Sequence, residues 1–242
     1  LQLTALHPPM AVDYSTGKRN LETLWESLED WERAYGINYY NFQYDRILSV
    51  AYKLDLVVKT KYGAGPGVLF DISDRVLVAV FAILSPNNHE NTNYIALQRC
   101  LEIWMGKLPE SAKVPAYGTN KRKALAVLRA YSTTRIQEPE SHDVSDMITG
   151  RKVRSFYFNT IWPNIGINIT IDGHMKSAWL GRRVRLKHQE ANVSPALYRE
   201  ISRAICELAD KYETPAPGFQ AGLWIGWRHH IAAPGQYWLQ LW

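Results

Sequence analysis

Two residues in the middle third of this 242-residue chain have types and surroundings suited to chemistry. Lys152 follows Thr149-Gly150-Arg151 at the start of a helical pattern. Asp172 ends a broken apolar approach that begins at Ile165 and closes on Ile171, and Gly173 and His174 follow it. Arginines surround both positions: Arg151, Arg154, Arg182, Arg183 and Arg185. The N–H groups at a helix start bind phosphate. An amine with a lowered pKa attacks an electrophilic carbon. A carboxylate held away from water stabilises a positive charge that develops beside it. Together these groups suit gripping a nucleic-acid backbone and cutting a glycosidic bond.

The elements that must hold them read as helices. Residues 1–19 form an irregular arm with Pro8, Pro9 and Gly17. Asn20 then caps a helix carrying Leu21, Leu24, Trp25, Leu28, Trp31 and Tyr35 at helical spacing, and Gly36 stops it. Residues 38–53 give a second, aromatic-rich helix, and 63–67 a glycine-rich turn without the Lys-Ser/Thr of a phosphate loop. Ser73 or Asp74 caps residues 76–84, which are apolar on every side and therefore form the buried centre. Tyr94, Leu97, Leu101 and Trp104 mark the next helix. A connector with prolines leads to a short basic helix capped by Asn120. Residues 132–145 read as a polar linker. Asp172 is an N-cap for a helix with Met175, Ala178 and Trp179. Ser194-Pro195 opens a strongly amphipathic helix. A last helix, 220–228, docks through Trp224 and Trp227, and an aromatic tail follows. The expectation is all-α, with roughly eight to ten helices and no sheet. One domain, 1–242, is expected, with lobes formed by 1–73 plus 190–242 and by 74–189.

Charge placement points to the partner. Residues 1–112 hold 10 basic and 13 acidic side chains, residues 113–190 hold 14 and 6, and residues 191–242 hold four of each. All of the net +5 therefore lies in the third that contains Lys152 and Asp172. A basic stripe around a chemical site favours a polyanion, because each neutralised phosphate releases counterions. Cys100 and Cys206 are the only cysteines, too few for a disulfide framework or a four-cysteine iron–sulfur cluster, and consistent with a reducing cytoplasm. No apolar run reaches the length of a membrane span. The opening L-Q-L-T-A-L-H-P-P is unlike a secretory signal, and the native start lies upstream or at Met10.

The pattern Gly150-Arg-Lys152, one helix, then Ile171-Asp-Gly-His174 resembles the helix-hairpin-helix DNA glycosylases, whose hairpin ends G-x-K and whose next helix opens V-D-x-H. The apolar 76–84 helix followed by Ser85-Pro-Asn-Asn88 is similar to the helix and polar loop that open the core of those enzymes. The likeness covers roughly residues 74–228. It departs at the hairpin, L-P-G-x-G in the family and Asp146-Met-Ile-Thr-Gly150 here, with Ile148 in place of the first glycine. It also lacks the iron–sulfur cysteines of some members. Residues 152–159 and Gln220-Ala-x-x-Trp224-x-x-Trp-Arg228 look like a divergent branch associated with phages and mobile elements. That branch includes enzymes of thymine hypermodification and an anti-phage glycosylase acting on glucosylated hydroxymethylcytosine.

The resemblance implies a two-lobed helical glycosylase fold, a double-stranded DNA partner, no cofactor or metal, no membrane, and action as a monomer. It gives Asp172 the essential carboxylate and Lys152 the Schiff-base nucleophile. The plain readings stand beside these: Asp172 as an N-cap alone, Lys152 as a phosphate ligand, His174 as a structural residue. Reaching C1′ requires the nucleotide to leave the stack. Asn87, Asn88, His89, Glu90, His174 and Gln220 are the candidate pocket residues, and loop capping is the other reading of Asn87 and Asn88. Gly150, Arg151, Arg154, Lys121, Arg122, Lys123, Arg182 and Arg183 are the candidate backbone contacts. The polar 85–90 loop tilts the expected substrate toward a bulky modified base. The alternatives are a DNA-binding module without chemistry, or an enzyme of hypermodified-thymine synthesis.

Overall fold

The computed structural model describes residues 12–60, 63–64, 71–86, 89–133, 144–163, 165, 168–185 and 189–232. It is mostly helical. The elements run α1 (Tyr14–Ser27), α2 (Asp30–Tyr52), β1 (Val57–Thr60), β2 (Gly63–Ala64), β3 (Asp71–Ser73), α3 (Asp74–Leu84), α4 (Glu90–Trp104), α5 (Gly118–Thr133), α6 (Arg151–Ile161), α7 (Gly173–Leu180), α8 (Pro195–Lys211) and α9 (Ala216–Trp227). The chain divides into a central unit, Asn38–Thr170, and a terminal unit made of Leu1–Ile37 with Ile171–Trp242. The expected lobes broke at 73/74 and 189/190. The observed division falls earlier in both places because Ile47, Leu48 and Ala51 of α2 join the central core, while α7 packs on α1 and α9.

The central unit is built around α3. Ten of its eleven residues are buried, so a segment apolar on every side has neighbours on every side, as expected. α4, α5 and α6 pack directly on it. Phe81 stacks with Phe156 of α6 at 6.0 Å and meets Tyr94 of α4 at 4.9 Å. Ser73 caps the helix by accepting from the Arg75 N–H, and buried Asp74 accepts from Tyr44 Oη at 2.7 Å.

The expectation of no sheet is corrected. β1 pairs antiparallel with β2 and parallel with β3, in register Val57↔Asp71, Val58↔Ile72 and Lys59↔Ser73. Strands of four, two and three residues are too short to carry a period-two pattern, which is why the sequence hid them.

The terminal unit corrects three helix ends. α1 starts at Tyr14, inside the expected arm, because Asp13 accepts from the Thr16 N–H. Its break comes at Leu28, whose extended backbone ends the helix, and α2 then runs through Gly36 without stopping. Gly36 is there for close packing: a Cβ would sit 2.3 Å from the Gly222 Cα. In the central unit α5 likewise begins at Gly118, before the expected cap Asn120.

α9 carries two stripes. Gly218, Gly222 and Gly226 form one, and an added Cβ would meet Ile37, Trp25 and Leu28 respectively. The stripe lets α9 nest against α1 and the start of α2. Gln220, Trp224 and Arg228 form the other stripe. It is offset by two residues, about 200° around the helix, and so points away from the nest. α8 matches its expected start, with Ser194 capping the Leu197 N–H and Pro195 in the first turn.

Candidate functional site

Asp172 is the N-cap of α7, as the sequence predicts. Its Oδ1 accepts from the His174 N–H at 2.9 Å and the Met175 N–H at 3.0 Å. Its second oxygen, Oδ2, accepts from Trp224 Nε1 at 3.3 Å. Upstream, the buried Ile171 donates its N–H to Tyr198 Oη. Downstream, Trp179 is wholly buried against α1, and its carbonyl accepts from Asn20 Nδ2 at 2.9 Å. The carboxylate thus stands on a short helix fixed at both ends.

Trp224 is the hub of what surrounds it. His174 meets the Trp224 ring edge-on at 6.3 Å and 88°. The Arg228 guanidinium lies 4.2 Å from the ring centroid, a cation–π distance. Gln220 lies one helical turn before Trp224 and is 3% exposed. The structure therefore assembles Asp172, His174, Trp224 and Arg228 within the terminal unit, each half-buried. Trp224 and Arg228 are legible in the sequence as a docking residue and its neighbour. Their place around the carboxylate is not. Nearby, Lys176 donates to the carbonyls of Glu190 and Asn192, and burial lowers its pKa.

The hairpin belongs to the central unit. A 3-10 turn, Val144–Met147, leads into Ile148, whose N–H bonds the Ser145 carbonyl and whose side chain is buried in the core. Ile148 is therefore a core anchor. Gly150 has a positive φ, 93°, with ψ 127°, and opens α6 without a capping side chain. Lys152 sits half-buried in the first turn of α6, with Arg151 and Arg154 exposed beside it. Lys152 and Asp172, paired in the sequence reading, fall in different units.

Lys123 donates to Thr149 Oγ1 at 2.9 Å, which brings the basic start of α5 to the hairpin. Arg122 is exposed. Lys121 instead reaches the carbonyls of Glu110 and Ala112, holding its own connector. In the terminal unit Arg182 pairs with Glu190 at 2.7 Å and Arg183 is exposed.

Of the expected pocket loop, Asn87 and Asn88 lie outside the described residues. His89 is exposed at the start of α4. Glu90 pairs with Arg46, which also lies over the Tyr94 ring at 4.4 Å.

A second cluster was not anticipated. Glu32 is wholly buried, and His229 Nδ1 and His230 Nε2 stand 2.7 and 3.0 Å from its Oε1. Burial pushes this carboxyl's pKa up, but the Glu29 N–H and the two imidazoles outweigh that and hold it below the ordinary range. The His-His pair after Trp227-Arg228 was the available signal; its partner is 197 residues away from His229.

Among the described residues no helix is long and apolar enough to cross a membrane. Comparison with family models, curated proteins and solved structures gives no match.

Proposed function

We propose that this chain is a DNA N-glycosylase of the helix-hairpin-helix kind, acting as a monomer in the cytoplasm on double-stranded DNA. Asp172 carries the proposal. Its Oδ1 is spent on the cap of α7, while Oδ2 accepts from Trp224 Nε1, whose ring is flanked by His174 and Arg228. A cap alone needs one oxygen; a second, oriented by an indole N–H, suits a carboxylate with another task.

The reaction breaks the bond between the base nitrogen and C1′, and the electron pair leaves with the base, which takes up a proton. Asp172 stabilises the positive sugar and accepts a proton from the water that adds to C1′. In the lyase variant Lys152 Nζ bonds C1′ in place of water, and ring opening gives an imine. The positive-φ turn at Gly150, the N-terminus of α6, and the cations Arg151, Arg154, Arg122, Lys123 and Arg183 suit the phosphate backbone, whereas Lys121 and Arg182 would first have to leave the Glu110 and Ala112 carbonyls and Glu190. The favoured substrate is a bulky modified base such as the glucosylated hydroxymethylcytosine of phage DNA, which would make excision an anti-phage defence. Of the pocket residues proposed from the sequence, His174 and Gln220 belong to the terminal unit that holds Asp172, and Asn87, Asn88, His89 and Glu90 belong to the central unit.

The two cap bonds of Oδ1 taken alone support a second reading, a binding module in which Asp172 only holds α7. Excision from duplexes with plain, uracil, 8-oxoguanine, hydroxymethylated and glucosyl-hydroxymethylated bases, with and without borohydride, separates the two. Release of the glucosylated base, lost in Asp172→Asn with binding intact, is the expected result. A borohydride adduct absent in Lys152→Ala identifies the amine. Salt-dependent binding with no release from any duplex would replace the enzyme by the module.

A further inference from the structure

Three nitrogen and oxygen donors meet where the first turn of α2 faces a π-helical turn, Arg228–Ala232, that continues α9. His229 Nδ1, His230 Nε2 and a Glu32 oxygen all lie within 4.8 Å of one another. Two imidazoles adjacent in sequence ordinarily diverge, being about 100° apart on an α-helix. Here both turn to one carboxylate, with ring centroids only 4.5 Å apart. Single π-turns of this kind gather at functional sites.

We propose that Glu32, His229 and His230 bind one divalent transition-metal ion of the zinc class. Two imidazoles and one carboxylate, with a water in the fourth position, form a set such ions take readily, whereas magnesium and calcium prefer all-oxygen sites. Ligands about 2.0–2.1 Å from a tetrahedral ion stand about 3.3 Å from each other. The two Oε1–nitrogen distances of 2.7 and 3.0 Å would open by about 0.6 and 0.3 Å to reach it.

The surroundings fit a ligand set held from behind. The Glu29 N–H donates to Glu32 Oε2 at 2.8 Å, and His230 Nε2 also lies 3.1 Å from that oxygen, so Oε1, which both imidazoles approach, is the ligand oxygen. Trp31 Nε1 fixes the Glu29 carboxylate at 2.6 Å, and the Trp31 ring lies edge-on to His229 at 6.0 Å. Such outer contacts orient metal ligands. Entry is from the histidine side: Glu32 is 0% exposed, His229 21% and His230 36%. The ion would clasp the start of α2 to the end of α9, a structural role separate from excision.

The test strips the full-length chain with a chelator, removes the chelator, and titrates with cobalt(II) and zinc(II). One equivalent of cobalt should bind with a visible ligand-field spectrum and be displaced by zinc. Zinc at a hundredfold excess over Kd should raise Tm by about 5 °C or more. His230→Ala, at the most exposed ligand, should weaken binding at least about 100-fold while the chain still folds. Glu32→Gln should do the same wherever it folds. Less than one equivalent, or an affinity unchanged in His230→Ala and in the His229→Ala/His230→Ala double variant, overturns the site. The readout is metal binding, so the result is independent of whether the chain excises bases.

Discussion

Trp224 Nε1 and the α7 amides divide the Asp172 carboxylate between them, one oxygen each. The indole reaches 52 residues back along the chain to do so. This bond separates orientation of the carboxylate from capping. Trp224→Phe keeps an aromatic ring but removes the donor. Single-turnover excision should fall about tenfold or more, the loss of one hydrogen bond to a charged group, with duplex affinity unchanged. Asp172→Ala should abolish excision and also cost about 1 kcal/mol of stability by urea unfolding, the worth of the cap. An unaltered rate in Trp224→Phe would mean that Oδ2 has no part in the reaction.

The nest of α9 makes a sharper stability prediction. Gly36→Ala places a methyl 2.3 Å from the backbone of Gly222, where neither partner has a flexible end to move. We expect a loss of about 3 kcal/mol or more, read from the urea midpoint. Gly118→Ala is the control, since its nearest neighbour is an Arg122 nitrogen at 3.7 Å. It should change stability by less than about 0.5 kcal/mol.

Gly150 and Gly106 form a matched pair. Both have positive φ, 93° and 75°, and neither Cβ would meet anything within 4 Å. Alanine at either position should cost about 1–2 kcal/mol from backbone strain alone. Only Gly150→Ala should also weaken DNA binding, measured by anisotropy at fixed salt, because only Gly150 opens the proposed phosphate turn. Equal loss of affinity in both variants would remove the hairpin from the interface.

The thiols give a pH prediction. Burial pushes the Cys100 thiol up to about 12, and burial with Asp210 and Glu207 raises that of Cys206. An unfolded thiol ionises near 8.5. Above that value the unfolded chain loses protons that the folded chain keeps, so stability falls as pH rises toward about 12. Iodoacetamide at pH 8 should leave Cys100 unmodified in the native chain and label it in guanidinium. Rapid native labelling of Cys100 would contradict its place in the core.

The sequence was most readable where one short segment decides the outcome. The 76–84 run had to be buried because it has no polar side, and Asp172 had to cap because an acid precedes Gly173 at a helix start. It misled where a residue serves a distant one. Gly36 looks like a stop signal until Gly222 is placed against it. Gly17 looks like part of a loose arm, but it packs under Trp179. At the candidate site the cap was local and legible, whereas Trp224 as the partner of Oδ2 and Glu32 as the partner of two histidines were long-range and silent. Ile148 read as a broken hairpin glycine because its burial depends on packing and not on the motif.

The terminal unit is written in two pieces with the central unit between them. During synthesis α1 and the start of α2 emerge ahead of α9, and the glycine stripe they close upon is made nearly 200 residues later. The central unit, continuous in sequence, is complete well before that. Its helices can therefore pack on a nascent chain whose N-terminal helices still expose Leu21, Leu24 and Trp25. A chain truncated before α9 should engage holding chaperones through those residues, and the chain released from the ribosome with α9 should not.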